Sequence, residues 1–161
     1  MSSAEAIRAG RTLGCFEVAG RVYGVDVALV REVVRWQPAT PLPGAPPLID
    51  GVVDLRGAVI PVVDLGRALG GPAFEATSRA RIAVTEIGDR IVGLAVEAAI
   101  EVISVTASDW SGAPTLADGT SCSLTEAVVR RPDAEPIVVL SLERLLERVQ
   151  RSGPRAGEAS A

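Results

Sequence analysis

Between Leu48 and Leu65 the chain reads LIDGVVDLRGAVIPVVDL, and this stretch restricts the fold more than any other. Two apolar runs, Val52–Val53 and Ala58 to Val63, flank a polar centre of Asp54, Arg56 and Gly57. β-Branched residues dominate both runs, which predicts strand, turn, strand. Pro61 has no N–H to give to a ladder, so the second strand should lie at an edge, begin near Pro61 or carry a bulge. Arg56 is the only cation between Arg35 and Arg67. A guanidinium among apolar neighbours needs a carboxylate or carbonyl partner, and truncating it to alanine should disturb the protein more than a surface change would.

What the chain lacks narrows its chemistry. Hydrophobic residues make up 48% of the 161 but aromatics only 3%, so Val, Ile and Leu must fill one core or two small intimate ones. No apolar run approaches the roughly 20 residues needed to cross a bilayer, so no membrane insertion is expected. Residues 1–12 carry Arg8 and Arg11 without an apolar core, which does not fit a signal peptide and points to a cytoplasmic protein. Net charge is −4 and the basic residues are all Arg without clustering, so nucleic acid is not expected as a partner. Histidine is absent, which excludes Ser-His-Asp and Cys-His arrangements, His-containing metal sites and a phosphohistidine. Cys15 and Cys122 stand alone and read as packed or surface thiols. Asp54 and Asp64 could be taken for paired acid and base, but Asp64 suits a helix cap and Asp54 a strand end or turn. No catalytic residue, cofactor or metal is expected.

In chain order, residues 1–12 read as a flexible leader. Leu13 to Val18 and Arg21 to Val25 form a hairpin around Ala19-Gly20. Asp26 then caps a short helix whose stripe is Val27, Val30, Val33 and Val34. Five prolines between Pro38 and Pro47 make an extended connection, better suited to a fixed linker than to a ligand for an aromatic groove. After the central stretch Asp64 caps a helix, Leu65 to Leu69, which Gly70-Gly71-Pro72 ends. Ile82 to Glu86 and Arg90 to Val96 are strands around Gly88-Asp89, Val102 to Val105 is another, and Asp109 to Thr125 reads as a long loop. Ile137 to Leu140 is a buried strand, and Ser141 caps a final helix with Leu142, Leu145, Leu146 and Val149 on one face. Residues 152–161 form a tail. Trp36 and Trp110 suit partial burial as well as they suit exposed anchors.

The chain also matches itself. Arg21-Val-Tyr-Gly-Val-Asp-Val and Glu32-Val33 return 69 residues later as Arg90-Ile-Val-Gly-Leu-Ala-Val and Glu101-Val102. Val62 to Leu69 returns 77 residues later as Val139 to Leu146. Two similar small β units follow, each a hairpin, a crossover, a strand and a short helix, and short strands without long helices favour small barrels.

Phe16 to Val27, Val30 to Val34, Thr40-Pro-Leu-Pro-Gly-Ala-Pro and Gly51 to Leu65 together resemble the CheW family of chemotaxis coupling proteins. The likeness runs from about Leu13 to Val149 and is most specific at Leu55-Arg56-Gly57, Pro61 and Asp64-Leu65. It implies a mainly β fold of two SH3-like five-stranded β-barrel subdomains with short helices and a C-terminal helix. On that basis residues 13–151 form one CheW-like domain, with a first subdomain at about 13–75 and a second at about 76–151, allowing exchange of strands or helices between them.

The resemblance further implies a non-enzymatic adaptor that bridges methyl-accepting chemoreceptor signalling tips to the regulatory domain of a CheA-type histidine kinase, in arrays held by protein contacts. Arg56 matches the family's Leu-Arg-Gly arginine and Glu32 an acidic residue expected beside it. Val30 and Val33 match the apolar residues that would meet a receptor helix. The kinase-facing surface would come from barrel ends and edges. Two departures stand out: Ala95-Val96-Glu97-Ala98-Ala99 places smaller side chains near the interdomain groove, and Leu124 to Val129 lacks a glycine usual before the last hairpin. Two other readings remain open: a CheW-like regulator that binds receptors but not the kinase, and an unrelated small-barrel enzyme or ligand binder, which would need an enclosed polar pocket.

Overall fold

The computed structural model describes residues 11–113 and 124–152; the expected leader up to residue 10, most of the 109–125 segment with Cys122, and the tail from residue 153 lie outside the described residues. The described strands are β1 (Arg11–Val18), β2 (Arg21–Asp26), β3 (Val30–Arg35), β4 (Ile49–Leu55), β5 (Ala58–Asp64), β6 (Arg81–Ile87), β7 (Arg90–Val96), β8 (Ala98–Val105), β9 (Trp110–Gly112), β10 (Thr125–Val129) and β11 (Ile137–Leu140). Two helices accompany them, α1 (Leu65–Ala68) and α2 (Leu142–Arg151). The strands make two sheets, ordered β8-β1-β2-β11-β10-β9 and β3-β6-β7-β5-β4, an arrangement consistent with two SH3-like barrels. One has six strands where five were expected, because the start of the supposed 109–125 loop is the short strand β9, paired with β10.

Pairing crosses the repeat. β1 and β2 belong to the first unit but lie in the sheet of β8 to β11, and β6 and β7 of the second unit lie in the sheet of β3 to β5. The boundary near residues 75 and 76 therefore separates the repeat units along the chain without separating the barrels. Two parallel contacts close the exchange, Val139 opposite Gly24 and Val62 opposite Gly93. These pairs are related by the same 69- and 77-residue offsets that relate the units in sequence. The bulges repeat as well. Arg31 is the extra residue of β3 against β6, and Ile100, 69 residues on, is the extra residue of β8 against β1.

The expected helix after Asp26 is one turn of 3-10 helix, Val27–Leu29, followed directly by β3. Asp26 does cap it, accepting the Ala28 N–H at 2.9 Å. Four valines in eight residues are stiff at χ1 and favour the pleated sheet, so β-propensity overrode the apparent helical spacing. Pro61 sits inside β5 by a different route from those expected. Val52 spends its N–H and carbonyl on Thr40, at 2.9 and 2.8 Å, so the Val52–Pro61 pair is not a hydrogen-bonded one and the missing N–H faces β7. Pairing with β7 begins only at Val62.

Each barrel has an apolar interior, one built on Leu13, Val129 and Ile137 and the other on Val53, Ile60 and Ile82. A third cluster between them joins Phe16, Val25, Val63, Leu94 and Leu140 to the buried face of α2, Leu142, Leu145 and Val149. At roughly 1.5–3 kcal/mol per fully buried Val or Leu, this shared layer is enough to hold the barrels against each other. Both helices start at the expected caps. Asp64, buried, accepts the N–H groups of Arg67 and Phe74 at 3.2 and 2.9 Å, and Ser141 accepts that of Arg144 at 3.4 Å.

Candidate functional site

Leu55 and Ala58 close a two-residue hairpin whose corners are Arg56 at φ 54° and Gly57 at φ 88°. Positive φ at both corners is the primed turn that matches strand twist, and it projects Arg56 from the sheet end. Asp54 Oδ1 accepts the Gly57 N–H at 2.8 Å and fixes the corner. The Arg56 guanidinium pairs with the Glu32 carboxylate on β3, the acidic residue that the family resemblance set beside it. It is not, however, set among apolar neighbours: its side chain is 71% exposed and that of Glu32 34%.

Val30 and Val33 come together for a reason that neither helix nor regular strand supplies. In a regular strand, residues three apart face opposite sides. The Arg31 bulge resets the alternation, so that Val30 stands opposite Thr85 and Val33 opposite Ala83, on one face, while Glu32 and Val34 stand opposite Val84 and Ile82 on the other. The same bulge at Ile100 puts Ala99 and Val102 on one face of β8, opposite Phe16 and Gly14.

These faces form the walls of an open, mainly apolar groove between the barrels, lined by Val27, Val30 and Val33 on one side and by Ala99 to Val102 on the other. The walls are the edge strands β3 and β8. Val33, Ile100 and Val102 are 42%, 40% and 65% exposed, and among the described residues three of the five exposed large hydrophobics gather here. Single exposed apolar residues are ordinary; a lined strip of them marks a contact surface. Arg56 and Glu32 are not in the groove floor. They stand behind the β3 wall, beside Leu55 and Ala58.

Of the opposite wall, sequence reasoning reached only Ala99, the last of the small residues expected near the groove, and missed Ile100, Glu101 and Val102; Ala95, Val96 and Ala98 are buried instead. Glu101, which contributes to the groove lining, is paired with Arg131 at 3.6 Å, and Arg131 comes from the segment between β10 and β11 as Arg56 comes from between β4 and β5. The signal was present: the 69-residue offset carries Glu32-Val33 onto Glu101-Val102.

Other titratable residues show structural employment. Asp54 and Asp64 each hold backbone N–H groups and do not face one another as an acid and base. Cys15 is a buried free thiol whose pKa is pushed up to about 11, mainly by burial, with Glu101 raising it further and Arg131 lowering it. Trp36 is half-buried against Phe74 at 5.8 Å between ring centres, and Trp110 lies under the Arg11 guanidinium at 5.3 Å. Among the described residues no group of three or more Cys, Asp or Glu side chains gathers as a metal-ligand set.

Comparison with known proteins places the chain as a whole. A family model described as CheW-like domain matches residues 12–150. A chemotaxis protein CheW of Rhizobium meliloti (strain 1021) is 39% identical over 120 residues, covering 74% of this chain and 77% of its own. One of Bacillus subtilis (strain 168) is 39% identical over 108 residues, covering 67% of this chain and 69% of its own. Among solved structures, the scaffolding protein TtCheW of Thermoanaerobacter tengcongensis superposes with a TM-score of 0.76 at 30% identity, covering 85% of this chain and 92% of that one.

Proposed function

Because this chain belongs to the family of CheW-like chemotaxis proteins, whose matched members are named as chemotaxis and scaffolding proteins rather than enzymes, we propose that it couples the signalling tips of methyl-accepting chemoreceptors to the regulatory domain of a CheA-type histidine kinase. The observation that carries this reading is the groove between β3 and β8. A receptor tip is a helical hairpin, and a helix offers anchors at i, i+3 and i+4 to an apolar channel of this kind. Val30 and Val33 on one wall, with Ile100 and Val102 on the other, supply the apolar contact. Glu32 and Arg56, behind the wall, hold polar groups where they set the register of the bound helix.

The kinase would meet the barrel ends and edges, away from the groove, so that both partners are held at once by the 13–151 domain. No described helix is long and apolar enough to cross a membrane, and attachment to the receptor array would run through protein contacts in the cytoplasm. Weak contacts of this kind gain strength by repetition in an array.

Pull-down of the purified chain with a receptor-tip fragment and, separately, with a CheA-type regulatory domain tests the proposal. Capture of both is expected. Capture of the tip alone would replace it with the regulator reading, and capture of neither would overturn it.

A further inference from the structure

We propose that the solvent face of α2 is a docking site for an acidic segment of a partner protein, in which an apolar side chain seats on Leu48 and Leu124 while flanking carboxylates meet arginines. The site is separate from the groove between β3 and β8: no residue lines both, and nothing in it depends on what the groove binds. Its floor is fixed by the two helix caps. Leu48 gives its carbonyl to the N–H of Asp64 at 3.2 Å, and Leu124 gives its own to that of Ser141 at 3.0 Å. Each leucine thus stands in the same relation to the helix of its own repeat unit, and the fold brings both, with Pro47, against α2. Half-buried, they pack on the layer between the barrels and line an open pocket of about 620 Å³.

The rim is cationic. Arg144, Arg148 and Arg151, all exposed, follow at i, i+4 and i+7 on α2 and line the pocket with one carboxylate, Glu147, in a chain whose net charge is −4. Helix electrostatics accounts for Arg148 and Arg151, which lie in the last turn, where cations offset the carbonyl end of the dipole. It does not account for Arg144, three residues after the Ser141 cap, where the dipole opposes a cation and Glu or Gln would complete the cap. Arg148 has no hydrogen-bond or ion-pair partner among the described residues, and Arg151 has the exposed Glu147 at 3.8 Å, too far for a hydrogen bond. Guanidinium donors around an apolar floor complement carboxylates around an apolar side chain. An open pocket admits a passing chain, whereas a small-molecule site encloses most of its ligand. Residues 153–161, which follow Ser152 of the lining, carry one arginine, one glutamate and no large apolar side chain, so this part of the chain lacks the chemistry of the occupant.

Fluorescence anisotropy of the full chain with three labelled peptides decides the matter: a leucine between runs of glutamate, the same with glutamine for every glutamate, and the same as the first with glycine for leucine. The first should bind about tenfold more tightly than either of the others, the size of one charge-assisted contact or one buried leucine. Arg148→Glu should weaken it by about tenfold without moving the melting temperature, since Arg148 holds nothing in the fold. Arg90→Glu, an equal change of net charge at the exposed turn before β7, should leave it within about twofold. If Arg148→Glu does not fold, Arg148→Gln carries the test, with an expected loss of about threefold. Equal binding of the glutamate and glutamine peptides, or equal losses in the Arg148 and Arg90 variants, would overturn the site. Equal binding with glycine in place of leucine, or displacement by inorganic phosphate as readily as by unlabelled peptide, would overturn the apolar seat and with it the proposal.

Discussion

Gly24 and Gly93 occupy the same place in the two halves of the molecule, one beside Val139 and the other beside Val62, at the points where strands of one repeat unit run parallel to strands of the other. Neither has room for a side chain. A Cβ at Gly93 would come within 2.8 Å of Ile82 Cγ2, and one at Gly24 within 3.1 Å of Ile137 Cγ2 and 3.2 Å of Leu13 Cδ1. The space over each glycine is filled by side-chain methyl groups of the barrel around it.

Gly93→Ala should therefore destabilise the chain by about 1–3 kcal/mol, the usual range for overpacking, and Gly24→Ala by less, since its neighbours are farther away. Urea unfolding of both variants measures this. Wild-type stability in Gly93→Ala would mean that Ile82 is packed more loosely than described.

Arg56 is tested by two substitutions that act in opposite directions. An ion pair as exposed as Arg56–Glu32 is worth roughly 0–1 kcal/mol, while a non-glycine residue in the left-handed region costs roughly 1–2 kcal/mol. Arg56→Ala should melt close to wild type, and Arg56→Gly at or above it, while both lose receptor-tip binding. The large loss expected for a guanidinium buried among apolar groups does not apply to one at a turn in solvent. A fall of several kcal/mol in Arg56→Gly would contradict this account.

Cys15 makes stability depend on alkaline pH. Its pKa rises from 9.0 to about 11 on folding, so the folded state keeps a proton that the unfolded state releases. The associated stability is complete below about pH 9 and is lost as pH rises through about 11. In a Cys122→Ser background, native protein should resist thiol reagents at pH 8 and unfolded protein should react at once. Rapid labelling of the native protein at pH 8 would show that the thiol is reachable.

A protease site inserted between Glu75 and Ala76, in the exposed connection from α1 to β6, tests the exchange of hairpins. After cleavage the two pieces should elute together, because β1–β2 is paired with β8 and β11, and β6–β7 with β3 and β5. Separation of the pieces in native buffer is the outcome that this topology forbids.

Local chemistry in the sequence was legible where one signal acted alone. The Ala19-Gly20 and Arg56-Gly57 corners, the Asp64 and Ser141 caps, the prolines of 38–47 and the stripe of α2 all follow from single residues with narrow preferences. Val27, Val30, Val33 and Val34 misled because a bulge at Arg31 puts residues three apart on one face, and so imitates a helix with a strand. The short strand β9 was hidden in a run of Ser, Gly and Thr, since its pairing with β10 depends on residues that follow it at a distance. Arg56, the lone cation of a long apolar segment, announced that it needed a partner, and the family resemblance pointed to Glu32. Arg131, next to Arg130 and without a motif around it, announced nothing; the repeat leads to Glu101, and only the fold brings Arg131 to it.

The exchanged hairpins also set an order of events at the ribosome. All five strands from β3 to β7 have been synthesised once Val96 emerges, so that barrel can close while the rest of the chain is still being made. The hairpin β1–β2 must keep an unpaired edge until β11 arrives, ending at Leu140, after every strand of the other barrel has been made. The first described hairpin to be made is among the last to be finished, and during that interval its open edge is exposed to wrong partners.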